Sequence, residues 1–104
     1  MYDFFIADAL RRREIFDNLS SYLRRLKMLV LKVDPKAEVY LFGSVAEGRH
    51  TYSSDIDVLI ITEKDKWEIL KPLVKEEFTS FFDIHIRKPE EAGWYRRMTK
   101  LTRI

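Results

Sequence analysis

The sequence predicts a single α/β domain in which a small mixed β-sheet, of three or more strands, is flanked by helices. The chain has 104 residues, of which 46% are hydrophobic and 35% are charged. That length and composition are typical of one globular domain, here spanning residues 1–104. Hydrophobic patterns along the chain alternate in the order helix, strand, strand, helix, strand, helix, and no segment repeats.

The first long element is predicted to be a helix over Arg12–Val33, because apolar side chains recur there at helical spacing. Asp34 precedes a proline, and the residue before a proline is disfavoured in a helix, so the helix should end there. The preceding stretch, with Tyr2, Phe4, Phe5 and Ile6, is too apolar for a frayed end. We expect it to pack on this domain or on a partner.

Three strands are predicted, over Ala37–Phe42, Asp55–Thr62 and Phe81–Arg87. The third alternates strictly between apolar and polar residues. Because alternate side chains of a strand point to opposite faces, Asp83 and His85 should share one face. His85 is then either an ordinary structural histidine or a residue at the rim of a site.

Two further helices complete the predicted fold. Asp65 and Glu68 form a capping-box pattern that starts a helix between the second and third strands. Pro72 should kink or split this helix, because proline lacks the backbone N–H. The last helix is predicted over residues 89–98, and Trp94 within it is assigned either to the core or to an interface.

Composition excludes several classes of protein. The chain contains no cysteine, which excludes a disulfide scaffold, a thiolate metal site and a cysteine nucleophile. Its 19 basic and 17 acidic residues give a net charge of +2, too balanced to indicate nucleic-acid binding.

No apolar run is long enough to span a membrane, and the first arginines follow an apolar stretch, the reverse of a signal peptide. We expect a cytoplasmic protein, and the abundance of Lys, Arg and Glu is typical of thermophiles.

Three carboxylates carry the candidate chemistry. Asp55 and Asp57 lie two residues apart on one predicted strand and therefore on one face, and Asp83 lies on another strand. Carboxylates are suitable ligands for Mg²⁺ or Mn²⁺. Twelve residues before Asp55, Gly43 and Ser44 follow a strand, where backbone amides and a hydroxyl can hold a phosphate. Taken singly, each motif is also an ordinary strand end or turn.

The two motifs together resemble a known signature. The stretch GSVAEGRHTYSSDIDVLI, with ten residues between G-S and D-x-D, is similar to the DNA polymerase beta-like nucleotidyltransferase superfamily, and within it to the minimal nucleotidyltransferase (MNT) domain. The resemblance implies the polymerase beta-like nucleotidyltransferase fold. It also implies that Gly43 and Ser44 bind the triphosphate, that Asp55 and Asp57 bind two Mg²⁺ or Mn²⁺ ions, and that Asp83 is the third metal-binding and catalytic carboxylate.

The same resemblance implies transfer of a nucleoside monophosphate, AMP from ATP, to a hydroxyl on a partner protein. Minimal relatives often act beside a small helical HEPN-type toxin in toxin–antitoxin pairs, with the nucleotidyltransferase as antitoxin. This chain departs from many relatives by carrying Glu47 where they have a basic residue, so either Glu47 points to solvent or the phosphates rely on Arg49. Arg49 is then the candidate phosphate contact, and the alternative is an ordinary solvated loop arginine. The alternative is a non-catalytic nucleotide-binding or partner-occluding module. An enzyme that extends structured RNA is disfavoured, and a homo-oligomer remains open.

Overall fold

The computed structural model describes residues 2–104, with side chains from Phe4 onward, and confirms the predicted α/β class. Within that range the helices are α1 (Tyr2–Asp17), α2 (Leu19–Val33), α3 (Gly43–Ala46), α4 (Lys66–Lys75) and α5 (Ala92–Met98). The strands are β1 (Glu38–Phe42), β2 (Ile56–Ile61), β3 (Phe82–Arg87) and β4 (Thr102–Arg103). Short 3₁₀ turns cover Phe78–Ser80 and Pro89–Glu91.

The four strands form one mixed sheet in the order β3-β2-β1-β4. β1 runs antiparallel to both β2 and β4, whereas β2 and β3 are parallel and are joined through α4. A parallel pair needs a crossover of this kind. The three predicted strands are confirmed. β4 was not predicted, because its two residues are too few to show an alternating pattern.

Both faces of the sheet are covered, which explains why β2 reads as a continuous apolar run. On one face, α2 and α4 pack on alternate strand residues in a large core that includes Leu26, Val30, Val39, Ile56, Val58, Ile60, Ile69 and Leu73. On the other face, α5 packs in a smaller core of Tyr40, Leu59, Ile61, Ala92 and Tyr95. Successive residues of β2 therefore face different cores.

The prediction of one helix over Arg12–Val33 is wrong, because Asn18 divides it into α1 and α2. Both the backbone N and the side-chain Nδ2 of Asn18 donate to the carbonyl of Glu14, at 3.1 and 2.9 Å. Asn18 itself has φ −123° and ψ 31°, outside the helical region. Asparagine side chains compete with helical hydrogen bonds in this way, and apolar spacing does not reveal the competition.

The predicted split at Pro72 is wrong, whereas a kink there stays a prediction. Helix α4 is continuous from Lys66 to Lys75 with Pro72 inside it, and Asp65 caps it as predicted by accepting a hydrogen bond from the Trp67 N–H at 3.0 Å. Ile69 and Leu73, on either side of the proline, are fully buried. Their burial offsets the roughly 3 kcal/mol that an interior proline costs a helix.

The first turns of α1 do not pack in the core. Phe4 is 73% exposed, and Phe5, Ile6 and Leu10 are exposed as well. Packing of this stretch on the domain is therefore wrong for Phe4, Phe5 and Ile6, while the side chain of Tyr2 lies outside the described ones. A partner contact stays a prediction. None of the helices in residues 2–104 is long and apolar enough to cross a bilayer.

A buried polar pair joins the end of α2 to the end of β2. The Thr62 hydroxyl donates to Asp34 Oδ2 at 2.6 Å, and the Lys36 N–H donates to Asp34 Oδ1 at 3.0 Å. Both Asp34 and Thr62 are buried. The Thr62 hydrogen bond is the main cause that lowers the pKa of Asp34 from its ordinary value of 3.8.

Replacing Asp34 with Asn should lower the free energy of unfolding at pH 7 by about 1.5 to 3 kcal/mol, the usual worth of hydrogen bonds to a charged group. The pKa of Asp34 is depressed in the folded state, so this stabilisation is present above the unfolded pKa and is lost as pH falls through the folded one. Urea unfolding of wild type and Asp34→Asn at decreasing pH should therefore show the gap closing below about pH 4.

The exposed Glu90→Gln variant is the control for removing a carboxylate, and its unfolding free energy should track that of wild type. A gap between wild type and Asp34→Asn that stays constant at every pH would contradict the role of the ionised Asp34 carboxylate.

Candidate active site

The register of three strands brings the predicted site residues to one end of the sheet. Phe42, the last residue of β1, pairs with Asp57 of β2, and Asp57 pairs with Asp83 of β3. Both aspartates lie on the face that α5 covers. The residue that follows each of them, Val58 or Ile84, packs in the core on the opposite face. The predicted proximity of carboxylates on different strands is therefore confirmed for Asp57 and Asp83.

A third side chain joins the two aspartates. Asp57, Asp83 and His85 each offer an oxygen or nitrogen atom within 4.8 Å of the other two. His85 Nε2 lies 3.3 Å from Asp83 Oδ2, and His85 Nδ1 lies 3.1 Å from the hydroxyl of Tyr95 on α5. Of the two interpretations given to His85, the structure supports a place in the site. The strict alternation of apolar and polar residues in β3 had already indicated that His85 shares a face with Asp83.

The electrostatics of this group favour a bound cation. Burial, and then the neighbouring Asp83 carboxylate, raise the pKa of Asp57 above its ordinary value, while His85 opposes the shift. An ionised Asp57 is therefore unfavourable beside Asp83 alone. A positive ion between the carboxylates would remove that penalty.

Gly43 allows the backbone to approach Asp57 closely. Its φ is +77°, a conformation that side chains of L-residues rarely adopt. A Cβ built at this position would overlap Asp57 Oδ2 and would lie 3.1 Å from Asp57 Cγ. Ser44 follows directly in α3, so the Gly43-Ser44 turn and the Asp57 carboxylate are neighbours, as the sequence motif requires.

Asp55 is not in the group formed by Asp57, Asp83 and His85. It precedes β2, is largely exposed, and lies 3.7 Å from Arg12 Nη2. Arg12 also donates to the Ser54 carbonyl at 3.4 Å and stacks over the Phe81 ring. Joint metal binding by Asp55 and Asp57 remains a prediction. Sequence reasoning missed Arg12, since nothing local in α1 marks a contact to a residue more than forty positions away.

The loop after α3 pairs its own charges. Arg49, which is 66% exposed, lies 3.2 Å from Glu47 Oε1, and its backbone N–H donates to the Ser44 carbonyl at 2.8 Å. The acidic Glu47 is accommodated in this loop because its carboxylate pairs with the Arg49 guanidinium. A phosphate contact by Arg49 stays a prediction.

Comparison with known proteins identifies the family. A model of the nucleotidyltransferase domain matches residues 19–102. The chain belongs to this nucleotidyltransferase family. It is also similar to a crystal structure described as a "putative nucleotidyltransferase", with 31% sequence identity, a TM-score of 0.66, and coverage of 80% of this chain and 97% of the other. No curated protein matches the chain.

Replacing Gly43 with Ala in this nucleotidyltransferase should weaken Mg²⁺·ATP binding, because the new methyl group must displace the Asp57 carboxylate. Gly48→Ala is a matched control: Gly48 has φ +71°, but a Cβ there meets no atom within 4 Å. Both variants should lose about 1 to 2 kcal/mol of unfolding free energy from backbone strain.

Calorimetric titration and urea unfolding of both variants separate the two effects. Equal Mg²⁺·ATP affinities of Gly43→Ala and Gly48→Ala would show that the contact between Gly43 and Asp57 has no part in binding.

Proposed function

We propose that this nucleotidyltransferase transfers AMP from ATP to a hydroxyl group on a partner protein, using Mg²⁺ or Mn²⁺. The observation that carries the proposal is the pairing of Asp57 with Asp83 directly beside the Gly43 turn. In that arrangement a cation site and a site for phosphate groups adjoin each other. Nucleotidyl transfer needs both within reach of one phosphorus atom.

The residues present fit divalent metal ions. Asp57 and Asp83 supply carboxylate oxygens, the ligands that Mg²⁺ and Mn²⁺ accept. Asp55, directly before β2, is the carboxylate that the resemblance pairs with Asp57 in a two-ion site, with Asp83 as the third. When bound, such ions stabilise the negative charge that builds up on the attacking and leaving oxygens of an in-line displacement.

The chain's own groups then divide the remaining work. The Ser44 hydroxyl donates to the triphosphate, Gly43 lets the backbone come close to it, and Arg49 adds charge once it leaves Glu47. Asp83 accepts the proton of the acceptor hydroxyl. The acceptor oxygen bonds to the α-phosphorus, the bond from that phosphorus to the bridging oxygen breaks, and pyrophosphate leaves.

The surface beside the site supports a protein as the acceptor. Trp94 is 57% exposed, and its ring centroid lies 5.0 Å from that of Tyr95, the residue that contacts His85. Exposed tryptophan among arginines, here Arg96 and Arg97, is typical of interface hot spots. The resemblance to minimal nucleotidyltransferases makes a small helical HEPN-type toxin our candidate partner, with this chain as its antitoxin.

The second candidate function is a non-catalytic module that binds nucleotide or occludes its partner. The exposed Trp94 on α5 would serve occlusion as well as catalysis. The presence of the carboxylates together with the Gly43-Ser44 turn favours the enzyme. A variant of Asp83, which is both the proposed proton acceptor and a proposed metal ligand, distinguishes the two.

Asp83→Asn should reduce AMP transfer by several orders of magnitude, because an amide cannot accept the acceptor's proton. The measurement is incorporation of label from α-³²P-ATP into proteins of an extract from the native source, with purified wild type or variant added. γ-³²P-ATP is the control: it should leave no label on the acceptor, because pyrophosphate departs with that phosphorus.

Absence of protein labelling by wild type would contradict the proposed transfer. If wild type labels an acceptor and Asp83→Asn labels it equally well, Asp83 is not the base. If Asp83→Asn is inactive but still inhibits the labelled partner fully, the occluding module is the correct function.

A further inference from the structure

His85 has one ring nitrogen without a partner. Among the described residues, His85 Nε2 is the buried side-chain polar atom that makes no hydrogen bond. It lies 3.3 Å from Asp83 Oδ2, but the geometry is not that of a hydrogen bond. Buried polar atoms nearly always have a hydrogen-bond partner. A buried nitrogen without one, next to two carboxylates, therefore indicates a ligand that binds there.

The other side of the ring is held in place. Nδ1 lies 3.1 Å from the hydroxyl of Tyr95, which is buried. The rings of Phe42 and Tyr95 meet the imidazole edge-on, at centroid distances of 5.0 and 5.8 Å. When Nδ1 donates its hydrogen to the Tyr95 oxygen, Nε2 keeps its lone pair on the side of Asp57 and Asp83. A histidine ligand is commonly oriented by such a hydrogen bond from its second nitrogen.

In this tautomer the Nε2 lone pair faces two carboxylates, which is unfavourable unless a cation lies among them. The three donor atoms lie within 4.8 Å of one another. Ligands on opposite sides of one Mg²⁺-sized ion lie about 4.2 Å apart. Small side-chain movements would therefore let the three atoms bind a single ion.

We propose that His85 Nε2 is a metal ligand, completing with Asp57 and Asp83 a mixed nitrogen and oxygen site that prefers Mn²⁺ to Mg²⁺. The inference rests on the proposed function, because it concerns an ion of that same site. Imidazole is a poor ligand for Mg²⁺ and a good one for transition metals, so a histidine shifts selectivity towards Mn²⁺. Tyr95 is the positioning residue for His85.

Pulsed electron paramagnetic resonance of bound Mn²⁺ tests this directly, because a coordinated imidazole modulates the echo at frequencies of its nitrogen. The probe is Mn²⁺ with inorganic tripolyphosphate in a nitrogen-free buffer, so that neither nucleotide nor buffer supplies nitrogen. We expect nitrogen modulation in wild type and its loss in His85→Gln, with Mn²⁺ affinity reduced about tenfold or more. Tyr95→Phe should keep the modulation and bind Mn²⁺ more weakly.

His50→Gln is the matched control, since His50 is the other histidine of the chain and stacks on Phe16. It should keep both modulation and affinity. If His85→Gln does not fold, ¹⁵N-histidine labelling of the His50→Gln protein decides the question, because the modulation must then move to ¹⁵N frequencies.

The outcomes separate this proposal from the function on which it rests. Mn²⁺ that binds wild type without nitrogen modulation, or modulation that survives in His85→Gln, would overturn the role of His85 and leave a carboxylate-only metal site. Failure of Mn²⁺ to bind wild type at all would overturn both.

Discussion

The register between β1, β2 and β3 is the constraint on which the candidate site depends. It places Asp57 between Phe42 and Asp83, and it brings the backbone of Gly43 against the Asp57 carboxylate. Because side chains alternate along a strand, a slip of β2 by one residue would turn Asp57 towards the core beneath α2 and α4. Burial of Val58 and Ile60 in that core makes such a slip unfavourable.

The same packing creates the electrostatic problem that a metal ion would solve. Burial penalises an ionised Asp57, and repulsion from the Asp83 carboxylate on the adjacent strand adds to the penalty. Packing of the hydrophobic core holds the two carboxylates together, although their own interaction is unfavourable. A site that is unfavourable by itself and favourable with a cation suits the proposed metal-dependent transfer, in which the nucleotide brings further negative charge.

The sequence predicted those features that depend on local patterns. Alternation in β3 placed Asp83 and His85 on one face, and the G-S and D-x-D motifs located the turn and strand beside them. Contacts between distant elements carry no such pattern. The pairs Arg12 with Asp55 and His85 with Tyr95 arise only when α1 and α5 pack on the sheet. The break at Asn18 was missed for a different reason, since apolar spacing continues across it while a side-chain hydrogen bond ends the helix.

The most direct test of the account is calorimetric titration of ATP with and without Mg²⁺ for wild type, Asp57→Asn and Glu63→Gln. Glu63 is exposed and follows β2 at the end of the sheet away from the site, so its variant controls for loss of a carboxylate. We expect wild type and Glu63→Gln to bind ATP more tightly with Mg²⁺. Asp57→Asn, with a melting temperature close to that of wild type, should lose this gain. Equal affinity of wild type with and without Mg²⁺ would contradict a metal site at Asp57.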